Sequence, residues 1–142
     1  MNNINRFRRW TNSSIAGIVE SVRNEVDMPN TPYRIKWKTA KWWGRAYHSE
    51  GYIIVNAYNC NLYEFTRAEI ELIVLHELAH IAAPKGAGHG PQFRSEMARL
   101  VNMYYGDVGF EAHEVRSTGM PLETAHWATV RSQTKQALAN NP

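Results

Sequence analysis

The residues best suited to chemistry in this sequence are two histidines four positions apart, His76 and His80, with Glu77 beside the first. Side chains four residues apart lie on one face of an α-helix, about 6 Å from each other, so both imidazoles can bind one metal ion. Glu77 projects about 100° further around the helix, where its carboxylate can take a proton from a water molecule. The segment His76-Glu77-Leu78-Ala79-His80 therefore predicts a metal centre with Glu77 as the general base.

The alternative is that both histidines are core residues bonded to backbone carbonyls. Their segment should form a buried helix, because it is apolar on most sides, with Ile70, Leu72, Ile73, Val74, Leu75, Leu78 and Ile81. Burying two imidazoles and a carboxylate costs several kcal/mol unless they are paired, and one zinc ion would pair all three. A metal site is therefore the favoured interpretation. Zinc is preferred, although histidines also suit nickel, copper and iron.

A catalytic zinc ion usually has three protein ligands and one water molecule, so a third ligand is expected downstream. His89 is the best candidate, because it follows a glycine-containing turn at residues 84–88 and stands just before the next helix. The chain can fold back there and present His89 to the other two histidines. Carboxylates are the alternatives, with Glu96 preferred over Glu111 and Glu114.

A donor that stabilises the oxyanion of a hydrolysis reaction would also be needed. Several side chains have suitable chemistry, and the sequence does not choose among them. They are Tyr47, His48, Tyr104, Tyr105, His113 and His126.

Alternating patterns predict three short strands before the metal-binding helix. Over residues 33–38, basic residues alternate with apolar ones, as in a strand with one solvated and one packed face. Residues 43–48 and 52–56 then predict a hairpin around a Ser-Glu-Gly turn. We expect these strands to form a three-stranded antiparallel sheet.

Four longer helices are predicted from apolar periodicity and end signals. The metal-binding helix should begin near residue 67, because Thr66 and Glu69 form a capping box. Asn12 or Ser13 should cap the first helix, and the other two begin at Pro91 and at Pro121, the last running to about Leu138. The expected fold class is α+β: an N-terminal helix, the sheet, the metal-binding helix and the following helices.

Composition favours a single domain over residues 1–142. Hydrophobic residues make up 44% and charged residues 20% of the chain, which is typical of globular domains. The single cysteine, Cys60, excludes an internal disulfide and a four-cysteine zinc ribbon, and is expected to be a buried thiol. We find no apolar run of membrane-spanning length and no signal-peptide pattern, so we expect an intracellular, cytoplasmic protein without a membrane partner.

Basic residues are concentrated in the first third of the chain. Residues 1–45 contain nine Lys and Arg against three acidic residues, whereas residues 46–142 contain seven against ten. Cations that neutralise phosphates, together with rings that stack on bases, predict a surface for single-stranded or distorted DNA. The alternative is a solvated strand face with tryptophans in the core. The candidate residues are Arg34, Lys36, Lys38, Lys41 and Arg45, with Trp37, Trp42 and Trp43.

The two metal segments together resemble the SprT-like zinc metallopeptidases, the family that includes the eukaryotic protease Spartan. The second segment is Gly88-His89-Gly90-Pro91-Gln92-Phe93, and the resemblance extends over about residues 12–105. In that family the histidine of this segment is the third zinc ligand, which implies that role for His89. The resemblance also implies a zincin-like fold, zinc-dependent peptide hydrolysis and, in several members, recruitment to DNA to degrade crosslinked proteins.

Two departures from the family pattern suggest a minimal form. The stretch between His80 and His89 is short, and a C-terminal zinc ribbon is excluded by the single cysteine. Residues 106–142 are an extension of unclear role. The predicted function is that of a zinc endopeptidase acting on protein substrates, including DNA-associated ones. The alternatives are a zinc peptidase or amidase that works without nucleic acid, in viral or cell-wall processing, and a non-catalytic zinc-containing DNA-binding module.

Overall fold

The computed structural model describes residues 9–122 and has the α+β architecture expected from the sequence. Its longer helices pack on one side of a small sheet, and the buried helix Arg67–Ala82 contacts both the sheet and the other two helices. The elements in chain order are α1 (Asn12–Glu25), β1 (Tyr33–Lys36), β2 (Gly44–Tyr47), β3 (Tyr52–Asn56), α2 (Ala57–Leu62), α3 (Arg67–Ala82), α4 (Pro91–Tyr105) and a 3₁₀ turn (Ala112–Glu114).

The N-cap of helix α1 lies one residue before Asn12, the nearer of the two caps that the sequence predicted. Thr11 is the N-cap, because its side chain accepts a hydrogen bond from the backbone N–H of Ser14, and the Ser14 hydroxyl accepts one from the N–H of Thr11. This reciprocal pair satisfies two amide groups that the first helical turn leaves unpaired. The predicted apolar stripe is buried in the core and includes Ile15, Ile18, Val19 and Val22.

The sheet has the order β1-β3-β2, and its pairing differs in part from the prediction. β2 and β3 form the expected antiparallel hairpin, but β1 pairs with β3 in parallel, so the prediction of a fully antiparallel sheet was wrong. Alternation of polar and apolar residues reports which face is packed and carries no information on strand direction. The connection at residues 37–43 is long enough for β3 to insert between the other two strands.

Two buried asparagines hold this connection in place. The side-chain amide of Asn56 donates to the carbonyls of Lys38 and Trp42, both at 3.0 Å. The amide of Asn59 donates to the carbonyls of Ala40 and Trp42, at 2.7 and 2.8 Å. Buried backbone carbonyls need such partners, because an unpaired one costs about 1–3 kcal/mol. These bonds fix the path of the chain into β2, which packs against α3.

Helix α2 was not predicted, because six residues are too few for a periodic pattern. Asn56 caps it by accepting a hydrogen bond from the N–H of Tyr58 at 3.2 Å. Cys60 lies within α2 and is fully buried, and this burial raises the pKa of its thiol to about 12. The expectation of a buried thiol is confirmed.

Helices α3 and α4 match the sequence prediction closely. Thr66 and Glu69 form the capping box of α3, and α4 begins at Pro91 after Gly90. α3 is buried from Ile70 to Ala79 and packs against α1, α4, β2 and β3. No helix in the part of the chain that the structure describes has the length and apolar character to cross a bilayer. The predicted last helix lies outside residues 9–122 except for its first two positions.

Candidate metal centre

Three histidines from two different elements meet at one point on the buried helix. His76 and His80 stand one turn apart on α3, and His89 lies in the loop between α3 and α4. The loop reverses through two tight turns, in which the N–H of Ala87 bonds to Pro84 and the N–H of Gly90 bonds to Ala87. The structure therefore brings together the three histidines that the sequence analysis selected as candidate metal ligands.

The distances between their Nε2 atoms are short. His80 Nε2 lies 3.2 Å from His76 Nε2 and 3.1 Å from His89 Nε2. Each histidine offers one ligand nitrogen, and these three nitrogens all lie within 4.8 Å of one another. All three rings also pack against Phe93, with ring centroids 4.4–5.1 Å from it. Phe93, the first buried residue of α4, thus forms the floor of the cluster.

Backbone carbonyls determine which nitrogen of two of these rings carries the proton. His76 Nδ1 lies 3.1 Å from the carbonyl oxygen of Gly119, and His89 Nδ1 lies 3.1 Å from that of Ser117. A carbonyl oxygen only accepts hydrogen bonds, so each Nδ1 carries the hydrogen and each Nε2 presents a lone pair. Both lone pairs face the shared point.

This arrangement fits a bound metal ion. Zinc–nitrogen bonds of about 2.1 Å in a tetrahedral site place two nitrogens about 3.4 Å apart, close to the observed separations. Without a cation, a proton on His80 Nε2 could bond to only one of its two neighbours. A cation would satisfy all three nitrogens, and three histidines leave a fourth tetrahedral position open.

The protonation states of the cluster also suit a cation. Burial, reinforced by the neighbouring histidines, lowers the pKa of His76 to about 3 and that of His80 to about 4. Both rings are therefore neutral near pH 7, which is the form that binds metals. Burial raises the pKa of Glu77 to about 8, and its Oε2 lies 3.9 Å from His76 Nε2. A cation at the histidines would favour the ionised form of this carboxylate.

Gly44, at the start of β2, makes room for Glu77. A Cβ atom at position 44 would lie 2.9 Å from Glu77 Oε2, 3.0 Å from its Cγ and 3.1 Å from the carbonyl of Ile54. The sequence analysis missed this residue, because a glycine at a strand end has no chemical signature. The role of Gly44 follows only from the packing of β2 against α3.

Two cavities flank the cluster, and both reach Gly44, His76 and Glu77. The first has a volume of about 490 Å³ and is mainly apolar. Its apolar walls are formed by Trp42, Trp43, Phe65, Ile73, Met120 and Pro121. The second, of about 420 Å³, continues past His80 and His89. Together they form a cleft along β2 that passes over the candidate metal site.

Of the candidate oxyanion donors, Tyr47 and His48 line the second cavity. The His48 Nε2 lies 2.8 Å from the carbonyl of Ala83. Tyr104 and Tyr105 are buried in the core, where the Tyr104 hydroxyl donates to Glu71. His113 is exposed beside Glu111, and His126 lies outside the described residues.

The alternative carboxylate ligands are placed elsewhere. Glu96 pairs with Arg99 on α4, with 2.7 Å between Oε2 and Nη2. Glu111 and Glu114 belong to the 3₁₀ turn, where the carboxylate of Glu114 accepts from the N–H of Glu111. Within residues 9–122, the side chains that converge in metal-binding geometry are the three histidines.

The candidate nucleic-acid residues divide between two places. Arg34 on β1 and Arg45 on β2 both pair with Ile54 of β3, so their side chains lie on one face of the sheet. Arg34 stacks over the ring of Tyr52, with 4.5 Å to the centroid. Arg45 stacks over Trp42 at 4.6 Å. We call the face that carries Arg34, Arg45 and Tyr52 the outer sheet face.

The remaining candidates lie at the edge of this face or away from it. Lys36 pairs with Asn56 and so shares the outer sheet face, while Lys38 and Lys41 are exposed in the connection to β2. Trp37 does not belong to the face, because its indole N–H donates to Asn12 at 2.7 Å and its ring packs against the core. Trp43 is exposed, but it lines the first cavity beside the candidate metal site.

Comparison with known proteins agrees with this geometry. A family model described as the YgjP-like metallopeptidase domain matches residues 2–106. The match confirms the family resemblance that the two metal segments indicated. No curated protein and no solved structure matches the chain.

Proposed function

We propose, because the chain belongs to the YgjP-like metallopeptidase family, that it is a zinc-dependent endopeptidase. In this proposal His76, His80 and His89 hold the metal, and Glu77 is the general base. The observation that carries it is that His80 Nε2 lies 3.1–3.2 Å from the Nε2 atoms of both His76 and His89, beside a buried glutamate. A peptidase acts on protein or peptide substrates, and the cleft over the site would receive them.

Bound zinc would supply Lewis acidity, which lowers the pKa of a water molecule to about 7 and polarises a peptide carbonyl. Glu77 accepts the proton of the attacking water and returns it to the leaving amine. A cation at the histidines would keep this carboxylate ionised, which is the form that accepts a proton. Tyr47 and His48 are engaged elsewhere, because the Tyr47 ring stacks on Tyr52 and His48 Nε2 donates to the carbonyl of Ala83.

The apolar cavity gives this peptidase a preference for one kind of side chain. Trp43 packs edge-on against Phe65, with ring centroids 5.0 Å apart, and both rings face the cavity. A cavity of about 490 Å³ with apolar walls that reaches Glu77 has room for a large apolar side chain. We expect such a residue next to the cleaved bond.

Cleavage of an unfolded protein tests the proposal. We expect the zinc-loaded chain to cleave casein, a chelator to stop cleavage, and added zinc to restore it. Mass spectrometry of the products should show large apolar residues enriched on one side of the cleaved bonds. A zinc-loaded chain that cleaves no unfolded protein would instead favour the non-catalytic zinc module.

Exchange of Gly44 for alanine should reduce turnover without loss of metal. The new Cβ would lie 2.9 Å from Glu77 Oε2, so the carboxylate must move away from its place beside the histidines. A displacement of about 1 Å can cost a factor of about 10² in rate. We therefore expect kcat to fall 10- to 100-fold while the zinc content stays the same. The measurement is steady-state peptide cleavage with zinc analysis of the same sample.

Gly17→Ala on α1 is the matched control, because a Cβ at position 17 meets nothing within 4 Å. This variant should retain the kcat of the wild type. Full activity of Gly44→Ala would show that the position of the Glu77 carboxylate does not limit catalysis.

A second proposal concerns DNA as a partner of the outer sheet face. Arg34 and Arg45 present two guanidinium groups on this face, each stacked on an aromatic ring. Lys36 adds a third cation from the same face. Such cations with aromatic rings suit single-stranded DNA, where backbone charge and base stacking supply the affinity. The peptidase would then act on DNA-associated proteins.

Salt-dependent binding to a single-stranded oligonucleotide tests this partner. Each phosphate contact contributes about 0.7 to the slope of log K against log salt. The Arg34→Ala/Arg45→Ala double variant should therefore bind more weakly and with a slope smaller by about 1.4. Arg99→Ala, which removes an arginine paired with Glu96 on α4, should leave the slope unchanged. Absence of salt-dependent binding in the wild type would favour a peptidase that works without nucleic acid.

A further inference from the structure

A short hairpin after the family-matched region packs directly on the candidate metal centre. Val115 and Pro121 pair across its base, and the N–H of Arg116 donates to the carbonyl of Met120 at 2.8 Å. At its tip, the N–H of Gly119 donates to the carbonyl of Arg116 at 2.8 Å. We call residues 115–121 the C-terminal turn. It begins nine positions beyond residue 106, where the family match ends.

This turn contacts two of the three candidate ligands through its backbone. The carbonyl of Gly119 accepts from His76 Nδ1, and the carbonyl of Ser117 accepts from His89 Nδ1, each at 3.1 Å. One backbone segment therefore fixes the tautomer of both rings and points their Nε2 atoms at His80. The contact spans 43 positions in the sequence for His76 and 28 for His89.

Gly119 is required for this contact. Its φ of +83° lies in the left-handed region that favours glycine. A Cβ at this position would lie 2.3 Å from Cε1 and 2.6 Å from Nδ1 of His76, and 3.1 Å from Cε1 of Phe93. His76 is held on a buried helix and Phe93 lies on the floor of the cluster, so neither can move aside without disturbing the site. Any other residue at position 119 should push the carbonyl away from the imidazole.

We propose that the C-terminal turn positions the metal ligands, with Gly119 and Ser117 acting through their backbone carbonyls on His76 and His89. This inference rests on the proposed zinc site. A metal-bound histidine usually donates its other ring N–H to such an acceptor, and loss of the acceptor weakens metal binding by about 10- to 100-fold. The same turn contributes Met120 and Pro121 to the wall of the apolar cavity. It thereby gives the extension after residue 106 a defined role at the site.

The zinc affinity of Gly119→Ala tests the proposal, measured by competition with a chromophoric chelator. We expect its Kd for zinc to be 10- to 100-fold higher than that of the wild type. Gly109→Ala is the matched control, because Gly109 also has a positive φ, +72°, but a Cβ there meets nothing within 4 Å. Both variants carry similar backbone strain, so a purely structural effect would lower both Tm values and change neither Kd.

A second measurement on the wild type does not depend on the folding of any variant. Nitrogen-15 NMR of the metal-free chain reports which nitrogen of each histidine is protonated. We expect the proton on Nδ1 of both His76 and His89. A proton on Nε2 of either ring would overturn the proposal, as would a folded Gly119→Ala chain that binds zinc as tightly as the wild type.

Failure of this inference is distinguishable from failure of the proposed function. A wild-type chain that binds no zinc contradicts the zinc peptidase proposal, and the role of the turn falls with it. If the wild-type chain binds zinc and cleaves protein, and the Gly119→Ala variant binds zinc as tightly as the wild type, only the role of the turn is contradicted.

Discussion

Replacing Glu77 with glutamine should lower the peptidase activity of the zinc-loaded chain by a factor of about 10² to 10⁴ and leave its zinc content unchanged. Glutamine keeps the shape of the side chain but cannot accept the proton of the attacking water. The Glu77 carboxylate is not needed to hold the metal, because three histidine nitrogens already converge at the site. The measurement is kcat for peptide cleavage, with elemental analysis of the same preparation.

Glu71→Gln is the matched control for this prediction. Glu71 is a second buried glutamate on α3, bonded to the Tyr104 hydroxyl in the core and to Arg67. Its substitution should reduce stability and leave kcat close to that of the wild type. If Glu77→Gln kept more than a tenth of the wild-type kcat, another group would have to act as the base.

Removal of the metal should lower the Tm of the chain substantially. In the proposed site, zinc would bind only the folded chain, which brings together histidines 4 and 9 residues apart that the unfolded chain does not hold in place. Free zinc at a thousand times its Kd would stabilise the fold by about 4 kcal/mol, because only the folded state binds. For a chain of this size that corresponds to a Tm shift of roughly 10 to 15 °C. Thermal unfolding with zinc and with excess chelator measures it.

The His80→Ala variant provides the control for metal removal. His80 Nε2 lies between the other two nitrogens, so its loss should make the Tm insensitive to both zinc and chelator. A wild-type chain whose Tm does not change between zinc and chelator would contradict a metal site at these histidines.

The three longer helices α1, α3 and α4 and the family could be predicted from the sequence because their signals are local. Thr66 and Glu69 mark the start of α3 by themselves, and Gly90 with Pro91 marks the start of α4. The spacing of His76 and His80 is likewise a property of one helix. The glycine-containing turn before His89 indicated the third candidate ligand, the family resemblance implied the same role, and the structure places its Nε2 beside that of His80.

The features that escaped prediction depend on contacts between distant segments. The parallel pairing of β1 with β3 follows from the path of residues 37–43, which Asn56 and Asn59 hold through bonds to backbone carbonyls. Gly44 and Gly119 matter because of what lies opposite them, and neither has functional atoms in its side chain. The positioning carbonyls of Ser117 and Gly119 are backbone groups, which any residue type provides. No single-sequence pattern distinguishes such positions.

The positions of the candidate nucleic-acid residues could also be predicted only in part from the sequence. The alternation along β1 correctly indicated a solvated face that carries Arg34. The placement of Arg34 and Arg45 on a single face depends on both strands pairing with Ile54 of β3, which the strand order determines. Trp37, which the alternation assigned to the packed face, packs against the core and bonds to Asn12 of α1.

The most direct test of the three-histidine zinc peptidase is elemental analysis of the wild type and of His89→Ala, each incubated with zinc and freed of unbound metal. Our account predicts about one zinc ion per wild-type chain and its loss from the variant, because two histidines of one helix turn bind zinc far more weakly than three ligands. A wild-type chain that retains no metal, or a variant that retains it fully, would contradict the site.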